Sequence, residues 1–179
     1  MALLALALLL TRIQLLDSSQ ANSIEKNKAP SFSAPLIKDE HGLPVKKIAD
    51  AGAFHFDSSK LDSFYLLNFW ASWCQVCASE KAYLEQLYID LDRHIKIVGV
   101  VTYDEYDALL RSGKMNRIPY KLIFDKAGNL AAKFSVGSLP NSVLISPDGS
   151  ILKVVFGALN PKMSLELTQL IQKNENRSF

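Results

Sequence analysis

The chain has 179 residues, 49% of them hydrophobic and 21% charged, with a formal net charge of +2. That is the make-up of a single globular domain. The weak net charge and the lack of a basic run interleaved with aromatics argue against a nucleic-acid partner.

Met1 to Leu10 is an apolar run, separated by Arg12 from a second short one at Ile13–Leu16. It is too short to cross a bilayer comfortably and reads as a secretory signal, with Ser19 and Ala21 supplying the small residues of a cleavage site after Ala21. No Lys or Arg precedes the run, which leaves a retained N-terminal anchor as the alternative. No cysteine lies near the site to carry a lipid. The expected organisation is a signal peptide or anchor at 1–21, a flexible polar leader at 22–28 and one domain at 29–179. Export would place the domain where disulfides persist.

Ala29-Pro30-Ser31-Phe32 opens an expected edge strand through Ile37, closed by a turn at Lys38–Gly42. Val45–Ser59 has no clear period and reads as a loop or a small hairpin, with His41 and His55 as solvated loop side chains. Phe64–Trp70 is a short apolar and aromatic run that suits a buried strand. After it, Cys77, Glu80, Leu84, Leu87, Tyr88 and Leu91 recur at three- and four-residue steps, the pattern of a helix with one buried face ending near Asp92–His94. Ile95–Thr102 is nearly continuous Val and Ile and belongs to a central strand covered on both sides. Asp104 is placed to cap a short helix through Arg111. Lys121–Phe124 predicts another strand, Asp125–Gly128 a turn, and Asn129–Phe134 a helical turn.

Ser142–Ile145 and Ile151–Phe156 flank Ser146-Pro147-Asp148-Gly149, which predicts a hairpin. Asn160 as cap and Pro161 in the first turn begin a C-terminal amphipathic helix carrying Met163, Leu165, Leu167, Leu170 and Ile171 on its apolar side. The plan is α/β, in three layers.

The only two cysteines, Cys74 and Cys77, fall at the junction between the buried strand and the first helix. There Cys74 meets unpaired backbone N–H groups and the positive end of the helix dipole, which favour a thiolate. A thiol of pKa about 8.5 is about 3% ionised at neutral pH, whereas one lowered to about 6.5 is roughly three-quarters ionised. Cys74 therefore reads as the attacking sulfur and Cys77 as the one that resolves a mixed disulfide. A structural zinc site would need four ligands, and His41, His55 and His94 are scattered. A static disulfide this short would close a tiny loop and add little stability. Copper binding by both thiolates and a histidine is a further alternative.

Asn68-Phe69-Trp70-Ala71-Ser72-Trp73-Cys74 through Cys77 resembles the active-site signature of the thioredoxin-like fold, and more narrowly the TlpA/ResA/CcmG group of exported thiol-disulfide oxidoreductases. The resemblance implies a mixed central sheet flanked by helices. It also implies catalysis by Cys74 and Cys77 as a redox-active disulfide, without organic cofactor or metal. Leu139-Pro140 matches the family's cis-proline beside the cysteines, Glu80 its acidic residue one turn beyond the second cysteine, and Trp73 the position before the first. The segment from about Asp104 to Phe134 resembles the group's insertion relative to minimal thioredoxins. Implied partners are disulfide-bearing client proteins such as apocytochrome c and a membrane thiol reductase as electron donor, with the protein extracytoplasmic and a monomer. The sequence departs from the pattern in three places. Asn68 replaces the buried aspartate of thioredoxin, Gln75-Val76 lacks the usual proline before the second cysteine, and Asn141 follows Pro140 where cytochrome-maturation members carry Glu. Thiol peroxidases share the fold, but their Pro-x(3)-Thr-x(2)-Cys environment is absent.

Overall fold

The computed structural model describes residues 28–91 and 94–176. The expected signal peptide or anchor, all of the leader except Lys28, and Asp92 and Arg93 in the helix-end reading lie outside the described residues. Lys28 forms an isolated antiparallel bridge to Ser150, and its ammonium lies 3.3 Å from an Asp148 carboxylate oxygen.

Seven strands make one sheet: β1 (Phe32–Lys38), β2 (Gly52–Phe56), β3 (Phe64–Trp70), β4 (Ile95–Thr102), β5 (Lys121–Asp125), β6 (Asn141–Ile145) and β7 (Ile151–Phe156). Their order is β2-β1-β5-β4-β3-β6-β7, with β3, β4 and β5 parallel and the outer pairs antiparallel. The sheet is flanked by α1 (Lys81–Asp90), α2 (Tyr106–Ser112), α3 (Asn129–Lys133) and α4 (Pro161–Glu175). This is the expected three-layer arrangement, a mixed sheet with helices on both faces.

Strand alternation divides the core. On β3, Leu66 and Trp70 pack with Leu84 and Leu87 of α1 and Leu167 and Ile171 of α4. Leu67 and Phe69 point the other way, to Phe32, Phe56, Leu130 and Phe134. The five β3 residues from Leu66 through Trp70, and Ala71 after them, are all buried, so the strand that feeds the cysteines is fixed on both faces. At about 1.5–3 kcal/mol per large apolar side chain buried, this anchoring outweighs local propensity.

The structure corrects several expectations. β1 is not an edge strand, because the segment read as loop or hairpin supplies β2, which pairs with it in the register Phe32↔Phe56 and Ala34↔Phe54. The rings of Phe32 and Phe56 stack at 5.0 Å, a cross-strand contact that polar neighbours obscured in the sequence. His55 accordingly lies in β2, bonded to Ser33 Oγ at 2.7 Å, not in a loop; His41 is in an exposed turn. Lys38, expected in a turn, is the buried last residue of β1, and its ammonium donates to Asp39 O. Leu165 is 58% exposed, since the buried stripe of α4 runs through Leu167 and Ile171. Asn160 caps α4, its Oδ1 accepting from Met163 N at 3.0 Å.

Candidate active site

β3 ends at Trp70 and the chain turns at once, Cys74 N donating to Ala71 O at 3.2 Å. The expected single helix after the cysteines is two elements. Val76–Glu80 is a 3-10 turn and only then does α1 begin. Cys74 thus precedes the first turn instead of lying inside it. Its sulfur still meets a helical N-terminus, accepting from Cys77 N at 3.2 Å. Cys74 and Cys77 form a disulfide with Cα atoms 5.4 Å apart. Both are largely buried, while Trp73 and Val76 beside them are 60% and 59% exposed, so two apolar side chains stand at the mouth of the site together with exposed Gln75.

The 3-10 geometry matters for Glu80. Residues three apart eclipse one another in such a helix, which stacks Glu80 directly one turn beyond Cys77. Glu80 is only 1% exposed. One carboxylate oxygen accepts from Asn68 Nδ2 and the other from Leu159 N, both at 2.9 Å. Burial raises the Glu80 pKa, and the two hydrogen bonds oppose that rise without cancelling it. Asn68 Nδ2 also donates to Ser142 Oγ at 3.0 Å. The buried carboxyl therefore reaches the site from the helix, with the Asn68 amide holding it from β3.

The Leu139–Pro140 bond is cis. Asn141 pairs with Phe69 in the sheet register, which brings Pro140 to the same end of β3 as the cysteine turn. Pro140 O accepts from Gly157 N at 3.0 Å. Asn141 is wholly buried and neither its amide oxygen nor its nitrogen has a protein partner among the described residues. Trp73 Nε1 donates to Tyr103 O at 2.8 Å, tying the active-site turn to the end of β4.

A small cavity of about 120 Å³ lies against the disulfide, walled by Trp70, Cys77, Ile118 and Tyr120 and lined also by Lys81 and Lys114. A larger open groove of about 700 Å³ runs between β1 and the start of α2 and contains neither cysteine. Burial pushes the Tyr120 hydroxyl well above the usual phenol range. Gly99 of β4 faces this side of the sheet, where an added Cβ would stand 2.5 Å from Leu122 Cδ2 and 3.1 Å from Trp70 Nε1.

Sequence reasoning missed two groups here. Asp104, expected to cap α2, instead accepts from Ser72 N and Ser72 Oγ, the latter at 3.0 Å. Lys114 donates to Ser72 O. These contacts span 32 and 42 residues, a range at which local patterns carry no signal.

The family model described as AhpC/TSA matches residues 25–154. The chain belongs to the AhpC/TSA family. It is 30% identical to the thiol-disulfide oxidoreductase ResA of Bacillus thuringiensis subsp. konkukian over 134 residues, covering 73% of this chain and 68% of that protein. It is 29% identical over 148 residues to the thiol:disulfide interchange protein DsbE of Xylella fastidiosa, covering 82% and 68%. Among solved structures, MTB DsbF in mixed oxidised and reduced forms superposes with a TM-score of 0.62 at 25% identity, over 79% of this chain and 93% of that one. This AhpC/TSA protein is a thiol-disulfide oxidoreductase of the ResA/DsbE type on a thioredoxin-like fold, with Cys74–Cys77 as its Cys-x-x-Cys pair.

Proposed function

We propose that the protein works outside the cytoplasm as a reductant of client disulfides, with cysteine-bearing envelope proteins such as apocytochrome c as the client class. The observation that carries the division of roles is the Cys77 N–H directed at Cys74 Sγ, which stabilises negative charge on that sulfur when the pair is reduced. The Cys74 thiolate attacks a client disulfide, an S–S bond forms between Cys74 and the client, and one client sulfur leaves as thiolate. Cys77, deprotonated, then attacks Cys74 Sγ and the second client thiolate departs. Two electrons pass from the dithiol to the client, and the Cys74–Cys77 disulfide remains.

Glu80, stacked one turn beyond Cys77, is suited to take the Cys77 proton, since burial has already raised its proton affinity. Pro140 and Trp73 border the site where a client segment would lie. A membrane thiol reductase restores the dithiol. Export rests on the apolar N-terminal run and the small residues before Asn22. Among the described residues no helix is long and apolar enough to cross a membrane. We expect the protein to act as a monomer.

No observation favours copper delivery: among the described residues no three His, Cys, Asp or Glu side chains gather so as to hold a metal ion. The deciding experiment is trapping. Cys77→Ser is expected to accumulate covalent mixed disulfides with client proteins in cells, and Cys74→Ser to form none. Equal trapping by both variants, or none by Cys77→Ser, would contradict the mechanism.

A further inference from the structure

Two residues before the attacking sulfur, Ser72 is held from both sides. Its N–H and its hydroxyl donate to the Asp104 carboxylate, and its carbonyl accepts from Lys114 Nζ. Asp104 is itself 5% exposed, and its Oδ1 also accepts from Glu105 N at 2.9 Å. A buried carboxylate is costly unless several donors meet it, and here three do. Its placement comes at the expense of α2, whose N-cap, Glu105, makes no side-chain capping bond.

The neighbouring residue reinforces the clamp. Tyr103 accepts the Trp73 indole N–H on its carbonyl and sits at a φ of 53°. Large L-residues adopt that left-handed conformation only where their surroundings hold them in it. The surroundings are specific: a Cβ added at Gly128 would lie 1.9 Å from Tyr103 Cε1, so only glycine there leaves room for the ring. Ser72 and Trp73 are thus both tied to the two residues that follow β4. Cys74 N closes on Ala71 O, so residues 71–74 form one hydrogen-bonded turn that leads from the clamped Ser72 to Cys74, whose Sγ meets the Cys77 N–H.

We propose that Asp104 is a positioning residue for thiol-disulfide exchange, fixing the Ser72 peptide, with Lys114 on its far side, so that Cys74 Sγ faces the Cys77 N–H. This rests on the reading of Cys74 as the attacking sulfur. The charged groups around the cysteine turn among the described residues include Glu80, Lys81, Lys114 and Asp104, and the sign of the effect separates the proposal from a simple field effect. Were Asp104 only a nearby negative charge, removing it would make Cys74 a better thiolate. Were it an anchor, removing it would make Cys74 a worse one.

The test is the rate of Cys74 alkylation by iodoacetamide as a function of pH, in the full chain carrying Cys77→Ser so that one thiol reacts. Adding Asp104→Asn replaces one of the two acceptor oxygens with an NH2 group, so Ser72 N–H and Glu105 N–H can no longer both be accepted. The expected result is a rate about fivefold lower at neutral pH, the equivalent of about 1 kcal/mol of lost hydrogen-bonded placement. Ser72→Ala, which removes only the hydroxyl bond and keeps the N–H, is expected to slow the reaction about twofold, the smaller share of the same bond set. A faster or an unchanged reaction in Asp104→Asn overturns the proposal, whether or not the unfolding temperature falls. Should Asp104→Asn not fold, an unchanged rate in Ser72→Ala overturns it. The Cys77→Ser parent reports on the underlying reading separately. If its Cys74 reacts no faster than a free thiol, the exchange reading fails, whatever the ratio between parent and variants.

Discussion

Glu80 offers the sharpest energetic test, because both its oxygens accept from donors that have few other partners. Replacement by alanine strands Leu159 N–H outright and leaves Asn68 Nδ2 with Ser142 Oγ alone. At about 1–3 kcal/mol for the fully stranded donor and about 1 for the half-satisfied one, Glu80→Ala should cost about 2–4 kcal/mol before any cavity is counted. Glu80→Gln keeps one acceptor and turns an NH2 group toward the other donor, for a cost of about 1–3 kcal/mol. The dependence on pH has a definite sign. Burial raises the Glu80 pKa in the folded protein, so its contribution is fully present below the unfolded value and is lost as pH rises through the folded one. The stability advantage of the parent over Glu80→Gln should therefore be largest in acid and shrink as pH rises. Urea unfolding of the oxidised proteins across pH measures this without interference from thiol titration. An advantage that grows with pH, or equal costs for Gln and Ala, would refute the argument.

Two further perturbations probe the scaffold. Asp125 accepts from Thr102 Oγ1 at 2.9 Å and from Leu130 N and Ala131 N at 3.0 and 2.9 Å, capping α3 from within the end of β5, so Asp125→Ala should cost about 2–4 kcal/mol in urea unfolding. A loss under about 1 kcal/mol would mean that water replaces the cap. Gly128→Ala places a methyl group in the Tyr103 ring at a φ of 74° and should lower stability by about 1–3 kcal/mol or more. An unchanged thermal midpoint would contradict the packing described for Tyr103.

The sheet-forming core was legible because β3 and β4 are nearly continuous apolar runs, broken inside only by Asn68 and Lys96, and a strand covered on both faces declares itself by that alone. The cysteine pair was legible for a different reason: two cysteines at this spacing after a buried strand leave few chemistries open. What stayed hidden depended on contacts remote in sequence. Phe54 and Phe56 mark β2 only once Phe32 and Phe134 are seen to pack beside them. Asp104 has the sequence position of a helix cap, and nothing local shows that Ser72 competes for its carboxylate. The 3-10 character of Val76–Glu80 was equally invisible, since the three-residue step from Cys77 to Glu80 fits either helix. Glu80 was singled out by resemblance, whereas its holders, Asn68 and the Leu159 N–H, needed the fold.

The reduction potential of the Cys74–Cys77 couple, equilibrated against defined thiol buffers, addresses the central claim most directly. A client reductant fed by a membrane donor should lie near or below about −250 mV. A value near about −120 mV would make the same two cysteines an oxidant that introduces disulfides, and would contradict the proposed direction of electron flow.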